Sequence, residues 1–365
     1  MIVKKLKFEN FRNLSNSEIY PCEKVNVIYG DNAQGKTNLL EAIWLFCGGH
    51  SFRGAKENEL INFEDNFFRL FMDFNSFERD QNVEITFSQN KKKIKLNSVE
   101  KNSSSYLTEV FSCVVFSPEN MTLVKRGPSL RRKFLDGAIT QQRIRYAAAL
   151  SKYNQIINQR NALLKDIYKH KELKDTLPIW DDSLAVTGAI ILKERLQYIK
   201  ELKVYAQKFH DDISCNKEKL DIEYISNAGV TEEDNIEVIT EKLRQAYEKS
   251  RKDDYHTGYT NIGPHRDDMD IRINGISAKT FGSQGQQRSA VLSLKLAQAE
   301  MLFIKNGEKP VILLDDVLSE LDPKRQDFLL NKVDSYQVFV TCCEESNKEQ
   351  LKSGKVFYIN NGEVR

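Results

Sequence analysis

At 365 residues, with 40% hydrophobic and 29% charged side chains, the chain is long enough for two domains and a substantial core. Its 54 Lys and Arg against 52 Asp and Glu leave a net charge of +2, which excludes a uniformly basic or acidic protein. Six cysteines without a CxxC spacing, a first segment (MIVKKLKFENF) without an apolar stretch, and no run of about 18 apolar residues predict a cytoplasmic protein with no membrane span, no disulfides and no zinc.

In chain order, Ile2 to Phe11 alternates as a first strand and ends in the polar corner Phe11-Arg12-Asn13. Val25 to Tyr29 is a second β-patterned run. It feeds Gly30-Asp31-Asn32-Ala33-Gln34-Gly35-Lys36-Thr37, and a helical run from Asn38 to Phe46 follows. Strand, GxxxxGK[ST] and helix in that order define a phosphate-binding loop. Gly30 and Gly35 permit backbone conformations that a Cβ would obstruct, so successive N–H groups face a triphosphate. The helix N-terminus adds partial positive charge, Lys36 reaches the β- and γ-phosphates, and the Thr37 hydroxyl ligates Mg²⁺. The chain therefore reads as a nucleotide-binding protein.

Between residues 60 and 116 the runs Phe68–Phe74, Asn82–Phe87, Lys93–Leu96 and Phe111–Phe116 predict a mostly antiparallel sheet beside the nucleotide-binding core. Lys91-Lys92-Lys93 reads as a hairpin tip. The pattern changes at Ser117-Pro118. Helical spacing runs from Leu130 to Tyr168, again from Trp180 to Phe209 beyond Pro178, and from about Thr231 to Lys249, with a strand-like alternation at Leu220–Ile225 between the last two. Residues 120–250 are thus expected to form a helical arm inserted between two parts of an α/β head, 1–119 and 251–365. From Lys125 to Lys174 there are 13 Lys and Arg against 3 Asp and Glu, a local +10 that leaves about −8 for the rest. That field suits a polyanion such as DNA; the alternative is a solvated helical face.

Near the end of the chain, Val311-Ile312-Leu313-Leu314 is apolar throughout and runs into Asp315 and Asp316. A buried parallel strand reads this way, and ligands bind at the carboxyl ends of such strands. Asp315 would hold Mg²⁺ across from Thr37, and Asp316 would act as general base toward the attacking water. Upstream, Ser283-Gln284-Gly285-Gln286-Gln287 opens a long helical run over Ser289–Phe303, a second anion-binding helix start. Because the first such start is already committed, Ser283 is expected to meet the γ-phosphate held by another copy. The alternative is a simple capped helix.

SQGQQ at Ser283–Gln287, Leu313–Asp316 and Ser319–Asp322 resemble the signature, Walker B and D-loop of ATP-binding-cassette ATPases. More narrowly, FENFRNL (Phe8–Leu14), GDNAQGKTNLLEAI (Gly30–Ile43), FSPENMTLVKRGPSLRRKFLD (Phe116–Asp136) and IGPHRDD (Ile262–Asp268) resemble the RecF family, relatives of the SMC and Rad-type DNA-repair ATPases, over essentially the whole chain. The resemblance implies an ABC-type P-loop ATPase head, a mixed sheet plus an antiparallel β lobe, with a short helical arm. It also implies a homodimer that closes on ATP and Mg²⁺, DNA binding, loading of the RecA recombinase with RecO and RecR, and roles in fork repair and SOS induction. By position, Lys36, Thr37, Asp315 and Ser283 take the roles given above, with Gly285 and Gln286 on the signature turn. Asp322 lies in the D-loop, and Arg12 and Asn13 approach the base and phosphates.

Three departures stand out. Asp316 replaces the usual glutamate, no switch histidine follows the last strand (Thr341-Cys342-Cys343), and no Q-loop glutamine is evident. The first two imply slow hydrolysis, with ATP setting the lifetime of the dimer. For DNA, Lys125, Arg126, Arg131, Arg132 and Lys133 are the expected phosphate contacts, unless Arg131 and Arg132 pair with acidic residues of the head and hold the arm in place. A transporter ATPase subunit is the competing function; a long-arm chromosome protein is excluded by the short arm and the missing CxxC hook.

Overall fold

In the computed structural model, residues 1–48, 50–167, 170–343 and 354–365 are described. The chain divides into two compact units, Met1–Thr122 with Arg288–Arg365, and Leu123–Gln287. The first boundary lies three residues beyond the expected one. The second lies 37 residues beyond position 250, because Leu220–Ile225 and Asp268–Ile273 pair antiparallel along their full length. That pairing holds the segment after the last long helix in the second unit, a constraint between strands too far apart in sequence for periodicity to register.

The first unit carries two six-stranded sheets. One is antiparallel, in the order Ser17–Ile19, Ile2–Glu9, Phe67–Ser76, Arg79–Ser88, Lys91–Leu96, Val99–Lys101. Its strands alternate buried and exposed residues, as a sheet with one wet face should. Lys91 to Lys93 lie inside a strand, and the turn falls at Gln89 and Asn90, whose φ of 49° and 60° suits a tight hairpin. The expected lysine tip is therefore displaced by two residues.

The other sheet runs Glu363–Val364, Lys355–Asn360, Val25–Tyr29, Val338–Cys342, Val311–Leu314, Cys113–Phe116, parallel except for the terminal hairpin. Val311–Leu314 and Cys113–Phe116 are buried at every position, which explains their unbroken apolar sequence. One hydrophobic core joins the sheets: Phe8, Phe68 and Phe74 from the first, Ile28, Leu313 and Phe339 from the second, and Leu39, Leu40 and Ile43 from the helix Lys36–Leu45. That helix is therefore anchored by three large apolar side chains within about two turns of the phosphate loop.

The second unit is built on the helices Pro128–Thr140, Ile144–Asp166, Leu177–Ser214 and Ile236–Thr257, with a three-stranded sheet of Leu220–Ile225, Asp268–Ile273 and Ile276–Ser277. Pro178 stands in the first turn of the third helix, where its missing N–H costs nothing. Two arginines are fully buried here. Arg160 pairs with Asp181 and Asp254 at 2.8 Å, and Arg195 pairs with Asp136 at 2.7 Å. These two basic side chains are thus neutralised inside the unit.

Candidate nucleotide site

The strand Val25–Tyr29 lies between Lys355–Asn360 and Val338–Cys342 and delivers Gly30 to the carboxyl edge of the parallel sheet. A Cβ at Gly30 would stand 2.3 Å from the Ile359 carbonyl oxygen, so only glycine passes there. Gly35 has φ +117° and a Cβ there would meet Asn13 and Leu14 at 2.9 Å. The two glycines serve different ends: one allows a close approach, the other a left-handed turn.

Gly35 precedes the helix Lys36–Leu45, and no side chain caps that helix start. Its first N–H groups have no intrahelical partner, and residues of that first turn line the cleft, a fit for phosphate oxygens. One earlier and one later segment brace the loop. The Gly362 N–H donates to the Gln34 carbonyl at 3.0 Å, the Ser15 N–H donates to the Gly362 carbonyl at 2.9 Å, and the Asn13 amide donates to the Ala33 carbonyl at 3.4 Å. Asp31 and Asn32 lie on the exposed rim. The Lys36 ammonium donates to the carbonyls of Gly30 (2.6 Å) and Asp31 (2.8 Å) and to Cys343 Sγ (3.1 Å), whose thiol reaches Asn32 Oδ1 at 3.0 Å.

Opposite stands the end of Val311–Leu314. The Thr37 hydroxyl donates to Asp315 Oδ1 at 2.8 Å, and the Thr341 hydroxyl lies 3.3 Å from the same oxygen. Burial pushes the Asp315 carboxyl above its ordinary range, opposed by the hydrogen bonds from Thr37 and Thr341. Asp316 adopts φ +49° and its N–H donates to Thr341 Oγ1 at 2.7 Å, which turns its side chain into the cleft. The cleft, about 430 Å³, is lined by Gly35, Lys36, Thr37, Arg53, Asp316 and Thr341 with Ala33 and Asn38. Its donor set of hydroxyl and carboxylate oxygens is the hard-oxygen chemistry that Mg²⁺ takes, so Thr37 and Asp315 fit that ion.

Arg12 differs from expectation. Its Nε and Nη2 bind the Glu41 carboxylate and its Nη1 binds the Glu59 carbonyl at 2.8 Å, so each of its three nitrogens already donates within the protein. Asn13 does meet the phosphate loop. Asp322 caps the helix Pro323–Val333, accepting from the Arg325 N–H at 3.3 Å and pairing with its guanidinium.

Ser283, Gly285 and Gln286 belong to the second unit and are not brought together with Lys36 in one unit. Ser283 and Gln286 cap one another: the Ser283 N–H donates to Gln286 Oε1 at 2.9 Å and the Gln286 N–H donates to Ser283 Oγ at 3.2 Å. Gln286 also donates to Glu218 at 2.8 Å, and Ser283 stays exposed.

Among the expected DNA contacts, Lys125, Arg126 and Lys133 are exposed. Arg131 is not: it is 3% exposed, holds Asp268 through two hydrogen bonds of 2.6 and 2.8 Å, and donates to the Leu123, Val124 and Arg126 carbonyls. A phosphate contact from Arg131 is thereby overturned. Arg132 is half-buried and donates to the Asp267 carbonyl at 2.7 Å. Arg143, also in that basic stretch, is engaged by Glu194 and Glu201.

Sequence reasoning missed Arg53 and Glu41. Glu41 left one trace, a single carboxylate in the apolar stretch Leu39–Leu45; Arg53 sits in a short loop and left none.

A mixed parallel sheet with a phosphate loop at its carboxyl edge, an antiparallel β lobe and an inserted helical unit define an ABC-type P-loop ATPase head of the SMC-like class. A family model described as RecF/RecN/SMC N terminal domain matches residues 2–364. The DNA replication and repair protein RecF of Alkaliphilus oremlandii is 41% identical over the full length of both chains, and that of Ruminiclostridium cellulolyticum is 41% identical over 96% of this chain and 94% of its own. A solved structure of the recombination mediator protein RecF-ATPrS in the RecFOR pathway superposes with a TM-score of 0.93, at 41% identity, covering 99% of this chain and 97% of that one. The Smc head domain of Pyrococcus furiosus shares the fold alone, with a TM-score of 0.54 at 14% identity. The chain belongs to the RecF family.

Proposed function

We propose that this protein is an ATP-dependent DNA-binding switch of recombinational repair. The 2.8 Å hydrogen bond between Thr37 and Asp315, in the cleft that also holds Lys36 and Asp316, carries this reading. It joins the two halves of a phosphoryl-transfer site from residues 278 positions apart.

In this reading the phosphate loop and the uncapped helix start bind the triphosphate, and Lys36 exchanges its loop carbonyls for the β- and γ-phosphate oxygens. Mg²⁺, held by Thr37 and Asp315, supplies charge neutralisation at those phosphates. Asp316 orients the attacking water and accepts its proton. An aspartate is one methylene shorter than the usual glutamate, and Thr341-Cys342-Cys343 provides no histidine, so turnover is slow. Ser283 of a second copy reads the γ-phosphate, so ATP closes a homodimer and hydrolysis reopens it. DNA binds independently of sequence through Lys125, Arg126 and Lys133 and stimulates the weak ATPase. The relatives named for DNA replication and repair, and the RecFOR pathway in the solved structure's name, support a cytoplasmic role with RecO and RecR in loading RecA at gaps, in fork repair and in SOS induction.

Sedimentation of the purified protein with ATP, ADP and no nucleotide, with and without duplex DNA, tests the reading. Dimer in ATP alone, together with DNA retention, is expected. Equal dimer in ATP and ADP removes the switch. The transporter reading has no observation in its favour: the 41% identity to RecF relatives runs the full length of the chain.

A further inference from the structure

Glu41 lies on the helix Lys36–Leu45, five residues past the phosphate-loop lysine, and is completely buried. A carboxylate without solvent costs several kcal/mol unless it is fully paired. Arg12 alone would satisfy that need, with Nε 3.0 Å from Oε2 and Nη2 3.3 Å from Oε1. Yet the carboxylate does more. Ser51 donates its hydroxyl to Oε1, and the Ser51 oxygen in turn accepts the N–H groups of Arg53 at 3.1 Å and Ala55 at 3.2 Å. The Arg53 guanidinium lies 3.8 Å from Glu41 Oε2 and donates to Asn38 Oδ1 at 2.8 Å. Both the backbone and the head group of Arg53 are therefore referred to one face of the helix that begins at Lys36.

Arg53 is the member of this network that reaches the ligand. Its side chain is 46% exposed and lines the cleft with Lys36 and Asp316. A guanidinium held in that position is suited to phosphate oxygens. We propose that Glu41 is a positioning residue for the nucleotide, acting through Ser51 and Arg53 to aim a second cation at the phosphates. This rests on the ATP-binding reading above. A carboxylate buried only to neutralise Arg12 needs no relay through Ser51 to the Arg53 backbone; the relay is the feature that points to the cleft.

The experiment is a double-mutant cycle on ATP affinity, read by titration of a fluorescent ATP analogue into the full-length protein. Glu41→Gln keeps the shape and removes the charge. It is expected to weaken binding about ten-fold, the scale of losing an outer-shell partner. Arg53→Ala should cost a similar factor. In the Arg53→Ala background, Glu41→Gln should change affinity by less than about two-fold, because the residue it acts through is gone. A full ten-fold loss in that background, or no loss in the wild-type background, overturns the inference, since a general loosening of the loop would persist without Arg53. Should Glu41→Gln not fold, Ser51→Ala breaks the same relay and enters the cycle with the same two outcomes. Wild-type protein that binds no ATP overturns the proposed function and this inference together; wild-type binding with additive losses overturns this inference alone.

Discussion

At Asp315, one hydroxyl from a helix and one from a strand converge on one oxygen, while the neighbouring Asp316, with its left-handed backbone, lines the cleft. In the proposed mechanism this division assigns holding to Asp315 and chemistry to Asp316, so substitutions on the two sides should differ. Asp316→Asn is expected to bind ATP as the wild type does, to hydrolyse it about 100-fold or more slowly, and to form a longer-lived dimer. Steady-state turnover and sedimentation check both; an unchanged rate removes Asp316 from the mechanism. Lys36→Arg keeps charge but replaces three tetrahedral donors by a planar fork, and should reduce turnover more than affinity. His265 gives a pH prediction. Its Nε2 faces the Thr260 carbonyl at 3.0 Å, so that nitrogen carries the proton, and Nδ1 accepts from the Tyr153 hydroxyl at 2.9 Å. Burial lowers its pKa to about 4 from the ordinary 6.5, so the folded state prefers the neutral ring. Stability tied to His265 is present above pH 6.5 and is lost as pH falls toward 4. Melting temperature should decline across that window, and His265→Gln should flatten the decline.

At the scale of elements, the phosphate loop, the run Val311–Leu314 and the alternating strand Leu220–Ile225 were legible because each is a local pattern with a local cause. Glycines at a turn, unbroken burial and one-sided burial leave marks within a few residues. The site's supporting network was not legible, because Glu41, Ser51 and Arg53 meet Arg12 only after two loops and a helix have folded. Arg131 failed for the same reason. It stands in a basic run that looks solvent-facing, and its partner Asp268 lies 137 residues away. Its helix is pinned by that pair, so Arg131→Ala should destabilise the protein by about 2 kcal/mol or more, leaving Asp268 short of its partner. Thermal melts check this, and its DNA salt dependence should match the wild type. Replacing Lys125, Arg126 and Lys133 by Ala should do the reverse. Melting is expected to be unchanged, while the slope of log affinity against log salt falls by about two to three units if all three neutralise phosphates.

At the scale of the whole molecule, the signature turn and the phosphate loop belong to different units of the chain, and the cap between Ser283 and Gln286 leaves the serine exposed. If a second copy completes the site, Ser283→Arg should abolish the ATP dimer while leaving ATP affinity within about two-fold, since the phosphate loop is untouched. Analytical ultracentrifugation alongside ATP titration measures both; a variant that still dimerises on ATP removes Ser283 from the interface. The order of strands in the parallel sheet also bears on how the protein is made. Val25–Tyr29, which leads into the phosphate loop, is flanked by Val338–Cys342 and Lys355–Asn360. During synthesis it waits for more than 300 residues before either neighbour exists, on the order of 15–60 s at typical bacterial rates of ~5–20 residues per second. Until then its unpaired edges and apolar side chains are open to chaperones, and the emerging chain has no means of gripping a nucleotide. Ribosome-bound chains stopped short of residue 338 should therefore be silent toward ATP, however completely their antiparallel lobe has folded.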